Sequence, residues 1–116
     1  MNPVFSVVVP AYNEEEVLPQ SFERLDAVLR GMGEPYELIF VDDGSRDGTA
    51  GILRDLAAAH PQVRTLHFSR NFGHQVAVSA GVDAARGDAI VIIDCDLQDP
   101  PELIPLMAEK WREGYE

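Results

Sequence analysis

The chain has 116 residues, of which 46% are hydrophobic, and this is enough for one domain of ordinary size with a single core. Its 20 acidic residues outnumber 9 basic ones and give a formal net charge of −11, which argues against nucleic acid or an anionic membrane surface as the direct partner of this stretch. An anionic substrate would need a cation between itself and the protein.

The first half of the chain predicts two units, each a strand followed by a helix. β-branched and apolar runs indicate the strands, and apolar residues at helical spacing indicate the helices. In chain order these elements are a strand at residues 4–9, a helix at 17–29, a strand at 38–41 and a helix at 52–59. Pro10 is expected to end the first strand, and Asn13 is expected to cap the first helix.

The second half predicts two more units of the same kind. In chain order these are a strand at residues 63–68, a helix at 76–85, a strand at 89–94 and a helix at 103–111. The run Ile90 to Ile93 is typical of a buried strand, and Gly87 is expected to cap the end of the third helix. Four strands alternating with four helices predict an α/β fold with a mainly parallel sheet covered on both faces.

Polar residues follow every predicted strand. They lie at residues 10–14, 42–45, 69–74 and 94–98. Ligands of parallel sheets bind at the carboxyl ends of the strands, so these four segments predict one functional site at a single edge of the sheet.

The segment after the fourth strand predicts a metal site. Asp94 and Asp96 are two residues apart, and on extended chain they would share one face and converge on one point. Gln98 continues the spacing with an amide oxygen. Oxygen ligands suit Mg²⁺ or Mn²⁺ better than zinc. The competing interpretation is that these acids only solvate a turn.

Two other phosphate-binding folds fit the sequence less well. A dinucleotide-binding domain needs a glycine-rich turn after its first strand, and residues 10–14 contain no glycine. A receiver domain carries its acidic pair after the first strand and a lysine facing it. Here Asp42 and Asp43 follow the second strand, and the single lysine, Lys110, lies late in the last helix.

Four ordered motifs carry a resemblance to a known family. They are residues 8–15 (VVPAYNEE), 41–45 (VDDGS), 69–73 (SRNFG) and 94–102 (DCDLQDPPE). Together they resemble family 2 glycosyltransferases of the GT-A fold, and within these the bacterial polyprenyl-phosphate glycosyltransferases, relatives of dolichol-phosphate mannosyltransferase. The resemblance runs from residue 4 to the end. It implies that residues 1–116 form the N-terminal, nucleotide-sugar-binding half of a Rossmann-like GT-A enzyme.

The resemblance also implies roles for individual residues. The substrate-binding residues it implies are Pro10, Tyr12, Glu14, Asp42, Asp43 and Arg70. Among these, Asp42 is expected at the base or ribose and Arg70 at the phosphates. The resemblance implies that Asp94 and Asp96 are catalytic and hold the metal, with Gln98 as a further ligand. It implies no role for His74.

The implied reaction is inverting, metal-dependent transfer of a sugar from a UDP- or GDP-sugar to a polyprenyl phosphate, either undecaprenyl or dolichyl. The cofactor is expected to be Mg²⁺ or Mn²⁺. The acceptor is expected to bind through residues that the 116-residue chain lacks, so the isolated chain is expected to be inactive. The expected location is the cytoplasm, or the cytoplasmic face of the membrane if C-terminal membrane segments are present. A family 2 transferase with a sugar hydroxyl acceptor and a non-catalytic nucleotide-binding fragment remain as alternatives.

Overall fold

A computed structural model describes residues 3–98 and 100–114; Asp99, which belongs to the last motif, lies outside the described residues. The strands are β1 (Phe5–Ala11), β2 (Tyr36–Asp42), β3 (Val63–His67) and β4 (Ala89–Ile92). The helices are α1 (Leu18–Gly31), α2 (Thr49–Ala59), α3 (His74–Ala84) and α4 (Ile104–Arg112), and a short 3₁₀ turn, Pro101–Leu103, precedes α4. The predicted alternation of four strands with four helices is confirmed.

The strands form one sheet in the order β3-β2-β1-β4, with every pairing parallel. Val7 at the centre of β1 lies opposite Leu38 of β2 and Val91 of β4. The parallel arrangement confirms the prediction from the sequence. It also brings the carboxyl ends of all four strands to one edge, where the polar segments follow.

The two faces of the sheet carry separate cores. Helices α1, α2 and α4 cover one face, where the fully buried side chains are Val7, Val9, Leu18, Leu25, Leu38, Phe40, Leu53 and Ile104. Helix α3 covers the other face over β1 and β2. There Ala77 packs against Val8, Ile39 and Val41. Alternate residues of β1 and β2 therefore face different cores, as the two-residue period of a strand requires.

The prediction of a buried fourth strand covered on both faces is wrong. In the sheet formed by the described residues β4 is one of the two edge strands, and the side chains of Ile90 and Ile92 are 42% and 49% exposed. They share a face with Val8, but α3 lies over β1 and β2 and leaves that part of β4 uncovered. The strand also ends at Ile92, two residues earlier than expected.

The beginning of the chain differs from the sequence prediction at two points. Pro10 lies inside β1, because the pairing with β4 stops at Val8 and no ladder hydrogen bond is lost on that side. Helix α1 begins at Leu18 with a proline in its first turn, a position that proline favours. Asn13 does not cap it: Asn13 has φ 54° and its side-chain Oδ1 accepts a hydrogen bond from the backbone N–H of Arg46.

Gly87 is not a helix cap, because α3 ends at Ala84. Its backbone N–H instead donates to the hydroxyl of Ser6 at 2.8 Å. A Cβ at this position would lie 2.7 Å from the backbone nitrogen of Ser6. The glycine is needed for the close approach of this loop to β1.

Within residues 3–98 and 100–114, none of the helices has the length and apolar character needed to cross a bilayer.

We predict opposite effects for two helical Gly→Ala substitutions. At Gly81 of α3 an added Cβ would overlap Val8 and approach Val41, so Gly81→Ala should lower the free energy of unfolding by about 1–3 kcal/mol. Gly51 of α2 has open space around it, and Gly51→Ala should raise that free energy by about 0.5–1 kcal/mol through helix propensity. Urea denaturation measures both. Equal effects would contradict the packing of α3 on the sheet.

A second prediction concerns acid stability through Glu37, which is 5% exposed. Burial opposes its ionisation, but hydrogen bonds from the Ser6 hydroxyl, the Arg86 backbone N–H and the Arg64 guanidinium outweigh it and hold the pKa of Glu37 below its ordinary value. This stabilisation is complete above the unfolded-state pKa, about 4.3, and is lost as pH falls through the lower folded-state pKa.

Glu37→Gln should therefore destabilise the fold by about 1–3 kcal/mol at pH 7, with the difference from wild type shrinking as the pH falls below about 4.3 and through the lower folded-state pKa of Glu37. The measurement is urea unfolding across this pH range. Glu23→Gln is the matched control, because it is the same substitution at an exposed glutamate that makes no contact of this kind among the described residues. A pH-independent difference would contradict the assignment.

Candidate functional site

A cleft of about 370 Å³ lies at the carboxyl edge of the sheet. Residues from the ends of β1, β2 and β4 and from the loop before α3 line it: Pro10, Ala11, Tyr12, Glu14, Asp43, Asn71, Gly73, His74, Ala77, Asp94, Cys95 and Asp96. The strand ends thus meet at one cleft, as the parallel sheet predicted.

The loops after β1 and β2 are joined by backbone-to-side-chain hydrogen bonds. The N–H of Asn13 donates to the Ser45 hydroxyl at 2.9 Å, and the N–H of Glu14 donates to Thr49 Oγ1 at 2.8 Å. Tyr12, at the rim of the cleft, is 41% exposed. The two loops therefore hold each other in place and leave an aromatic ring accessible beside them.

Asp42 is buried at the end of β2 and is 2% exposed. Its Oδ1 accepts the backbone N–H of Ser45 at 2.9 Å, and its Oδ2 lies 3.2 Å from Nδ1 of His67. Asp42 does not line the cleft. Both carboxylate oxygens are used inside the protein: Oδ1 fixes the loop that carries Ser45, and Oδ2 contacts the end of β3.

Asp43 lines the cleft, yet its carboxylate is mostly occupied by the loop before α3. It accepts hydrogen bonds from the backbone N–H groups of Phe72 at 2.8 Å and Gly73 at 3.1 Å, and from the side-chain amide of Asn71 at 3.1 Å. The neighbouring Gly44 has φ +74°, and a Cβ there would overlap the backbone of the same loop. The sequence at the end of β2 therefore determines the position of the loop before α3.

Helix α3 begins at the cleft. Gly73 precedes its first turn and His74 is its first residue, and both line the cleft. The positive end of the helix dipole and the first N–H groups of the helix therefore lie at this edge, which favours a phosphate group there.

Asp94 and Asp96 reach the cleft from a turn. The N–H of Leu97 donates to the carbonyl of Asp94 at 3.0 Å, and Leu97 has φ 54°. Cys95, between the two acids, is buried, and its carbonyl accepts a hydrogen bond from the Ser21 hydroxyl at 2.5 Å. The extended geometry expected from the two-residue spacing is wrong: a turn anchored by Cys95 brings both acids to the cleft.

Negative charge dominates the cleft. Burial, followed by the nearby charges of Asp96, Asp47 and Asp94, raises the pKa of Glu14. Burial and the charges of Glu14 and Asp96 also raise the pKa of the Cys95 thiol to about 12, so this thiol stays neutral. The described lining residues include no lysine or arginine. An anionic ligand in this cleft would therefore meet repulsion unless a cation accompanied it.

The carboxylate oxygens at this cleft suit a cation that takes its remaining ligands from water and a substrate. Among the described residues, no group of three or more His, Cys, Asp or Glu side chains is arranged to hold a metal ion. Asp94 and Asp96 nevertheless both line the cleft. One or two carboxylates, completed by water and substrate phosphates, are the usual protein ligands of Mg²⁺.

The structure places the remaining predicted residues outside the cleft. Arg70 is exposed, and its guanidinium lies over the ring of Phe72 at 4.5 Å. Gln98 is exposed, and its backbone N–H donates to Asp96 Oδ1 at 3.3 Å. Conversely, His74 lines the cleft although the sequence indicated no role for it. Its position in the sequence, at the start of a helix that follows a strand, could have indicated a place at the ligand-binding edge of the sheet.

Comparison with known sequences identifies the family. The sequence profile described as "Glycosyl transferase family 2" matches residues 6–116. The chain belongs to glycosyl transferase family 2. The predicted membership is thereby confirmed.

Curated relatives share this sequence over nearly its whole length. The uncharacterized glycosyltransferase YkcC of Bacillus subtilis is 56% identical over 97% of the chain and 35% of its own length. The prophage bactoprenol glucosyl transferase homolog of Escherichia coli is 46% identical over 94% of the chain and 36% of its own length. The undecaprenyl-phosphate 4-deoxy-4-formamido-L-arabinose transferase of Shewanella sediminis is 46% identical over 96% of the chain and 34% of its own length. The chain thus spans about a third of the length of these relatives.

A solved structure supports the fold. The mannosyltransferase PcManGT from Pyrobaculum calidifontis, in complex with GDP-Man and Mn²⁺, matches 96% of this chain and 32% of its own, with a TM-score of 0.75 and 27% identity. The predicted GT-A fold, present here as a partial N-terminal domain, is confirmed.

The contacts of Asp43 lead to a prediction about the loop before α3. Asp43→Asn removes the charge from an acceptor of three hydrogen bonds and should lower the free energy of unfolding by about 1–3 kcal/mol. Hydrogen exchange at the amides of Phe72 and Gly73 should accelerate. Asp55→Asn, at an exposed site of α2, is the matched control and should change stability by less than about 0.5 kcal/mol. Unchanged exchange in Asp43→Asn would show that this carboxylate does not hold the loop.

Proposed function

We propose that this chain is the donor-binding part of a glycosyltransferase that moves a sugar from a nucleotide diphosphate sugar to a polyprenyl phosphate. The observation that carries the proposal is the cleft at the carboxyl edge, which gathers an accessible aromatic ring, a helix N-terminus and two adjacent acids. These three features suit a base, a diphosphate and a metal ion, respectively. The names of the bactoprenol and undecaprenyl-phosphate relatives support the acceptor class.

The nucleotide would lie along the cleft from Tyr12 to the acidic turn. Tyr12 is exposed at the rim, where its ring is available to stack on a base, and Pro10 forms the adjacent wall. Glu14 lies deeper, where its carboxylate, with a raised pKa, is available to hydrogen-bond base or ribose. Asp42, behind this surface, and Asp43, in the wall of the cleft, hold the loops.

The diphosphate would lie between the start of α3 and the acidic turn. His74 and the first N–H groups of α3 approach it from one side, and Asp94 and Asp96 face it from another. Asp94 and Asp96 are the residues that would hold Mg²⁺ or Mn²⁺, and Gln98 would fix the orientation of Asp96 through its backbone N–H. When bound, such an ion neutralises the diphosphate and stabilises the charge of the departing nucleoside diphosphate.

The proposed reaction requires little proton transfer. A phosphate oxygen of the acceptor attacks the anomeric carbon, the new C–O bond forms as the bond to the diphosphate breaks, and the electron pair leaves with the nucleoside diphosphate. Attack from the opposite face inverts the anomeric centre. Because the acceptor is already an anion, it needs less help from a general base than a sugar hydroxyl would. The polyprenyl chain of the acceptor would place the enzyme at the cytoplasmic face of a membrane.

The proposal predicts that nucleotide affinity depends on a divalent cation through Asp96. Binding of UDP and GDP, measured by calorimetry, should be at least about tenfold tighter with Mn²⁺ than with EDTA, since the ion removes the repulsion between carboxylates and diphosphate. Asp96→Asn keeps the size of the side chain and removes its charge. It should reduce this dependence to less than about twofold.

The matched control is Asp83→Asn, which removes one negative charge from an exposed site on α3 outside the cleft. It should leave the cation dependence unchanged. Equal affinity with Mn²⁺ and with EDTA in the wild-type chain would overturn the metal assignment.

The acceptor class is tested separately. A polypeptide of the relatives' length that contains this chain should glycosylate undecaprenyl phosphate. Exclusive use of a sugar hydroxyl as acceptor would refute the proposed acceptor class.

A further inference from the structure

A second cleft, of about 450 Å³, lies at the opposite, amino edge of the sheet. Its walls come from the chain before β1, the end of α1, the start of β2, the start of β3 and the loop between α3 and β4. Three of its lining residues are arginines: Arg30, Arg64 and Arg86. We call it the arginine cleft. Because it lies at the other end of the strands, it is separate from the cleft that holds Asp94 and Asp96.

Glu37 at the start of β2 contacts two of these arginines, through the guanidinium of Arg64 and the backbone of Arg86. Its Oε1 accepts from Nη1 of Arg64 at 2.7 Å, and its Oε2 accepts from the backbone N–H of Arg86 at 2.7 Å. The Ser6 hydroxyl donates to the same Oε2 at 2.6 Å. Glu37 is buried and both of its oxygens are occupied, so it presents little free acceptor capacity to the cleft.

The guanidinium of Arg64 is fixed but not saturated. Nη1 also donates to the carbonyl of Ala84 at 2.8 Å, so two bonds immobilise this end of the side chain. A guanidinium has about five N–H donors, and within the described part of the chain the other donors of Arg64 have no partner. A positioned group with spare donors loses little conformational entropy when it binds an anion.

A second buried acid holds Arg30. Asp26 is 3% exposed and accepts from Tyr36 Oη at 2.5 Å, Gln62 Nε2 at 3.0 Å and Arg30 Nε at 3.0 Å. Burial and the bond to Asp26 raise the pKa of Tyr36 to about 12, which keeps its hydroxyl protonated as a donor. The side chain of Arg30 is 70% exposed, so its remaining donors face the solvent.

The charges of the arginine cleft are unevenly distributed between its interior and its mouth. The acids Asp26 and Glu37 are buried and satisfied, and Glu34, which also lines the cleft, is ion-paired with Arg112. Arg86 is exposed, and its guanidinium makes no hydrogen bond or ion pair with any described residue. The accessible groups are therefore mainly cationic, in a chain whose net charge is −11.

We propose that the arginine cleft binds a small phosphate-bearing anion. Arginine forks match phosphate oxygens in pairs, and here they come from three separate elements that converge on one opening. The overall negative charge of the chain does not prevent this binding, because at physiological ionic strength charges beyond about 8 Å are largely screened. The local arginines then dominate the potential.

The test uses inorganic pyrophosphate as the probe, with EDTA present so that no metal assists binding at the carboxyl edge. Heteronuclear NMR on the 116-residue chain should show saturable shifts at the amides of Arg64, Arg86 and Gly87, and not at Tyr12 or Asp94. Shifts confined to the carboxyl edge would overturn the proposal.

Arg86→Gln is the diagnostic variant, because the described contacts of Arg86 use only its backbone N–H. It should weaken pyrophosphate binding by about tenfold, the effect of losing a charge-assisted contact, without changing stability. Arg54→Gln removes the same charge from an exposed position on α2 outside both clefts and should weaken binding by less than about twofold. Equal weakening in the two variants would indicate general charge attraction and refute a specific site.

A vesicle arm distinguishes a free phosphate from a lipid headgroup. Co-sedimentation with phosphatidylglycerol vesicles is compared with phosphatidylcholine vesicles, for wild type, Arg86→Gln and Arg54→Gln. Binding to phosphatidylglycerol vesicles but not to phosphatidylcholine vesicles, if it is lost in Arg86→Gln, would support the proposal with a lipid headgroup as the source of the phosphate. Binding of pyrophosphate without vesicle binding would support it with a soluble phosphate as the source. Absence of Arg86-dependent binding in both arms would overturn it.

Discussion

The geometry of the carboxyl edge depends on two buried carboxylates at the end of β2. An ionised carboxylate is costly to bury unless hydrogen bonds compensate it, and Asp42 and Asp43 obtain those bonds from different loops. Asp42 holds the loop that contains Ser45, which in turn receives the N–H of Asn13. Asp43 holds the loop before α3. One short sequence thus connects three of the four segments that form the cleft.

Two pairs of acids at opposite ends of the sheet differ in burial and in hydrogen-bond partners. At the amino edge Asp26 and Glu37 are buried with several donors each, and these donors include arginines. At the carboxyl edge Asp94 and Asp96 are exposed, and the described cleft residues bring no arginine or lysine to them. The first arrangement stabilises the fold, whereas the second leaves negative charge available to an external cation. This contrast separates structural acids from candidate ligands more clearly than the acidic composition does.

The sequence was sufficient to predict the four strands, the four helices and the edge where the polar residues meet. These features depend on hydrophobic periodicity and on the parallel arrangement, both of which are local or topological. It also predicted that Tyr12, Glu14, Asp94 and Asp96 would share one edge, and the structure brings them to one cleft.

The errors concern features that only tertiary contacts determine. The apolar run of β4 indicated burial, but the exposure of Ile90 and Ile92 depends on how far α3 extends across the sheet. Asn13 had the chemistry of a helix cap, yet a bond to Arg46 in another loop uses its side chain. The acidic pair after β4 converges through a turn because Cys95 is anchored to α1, a contact across 74 positions of sequence. No local pattern encodes these pairings.

The position of α3 links the core to the cleft. Gly81 lets the helix approach Val8 and Val41 closely, and it lies about 10 Å along the axis from His74 at the cleft. A helix is stiff over this distance, so a side chain that lifts Gly81 from the sheet would also move the first turn of α3. The hydrogen bonds of Asp43 to the loop before α3 would resist that movement only at the N-terminal end of the helix. Close packing on the α3 face of the sheet therefore sets where the helix N-terminus meets a ligand, although neither Val8 nor Val41 lines the cleft.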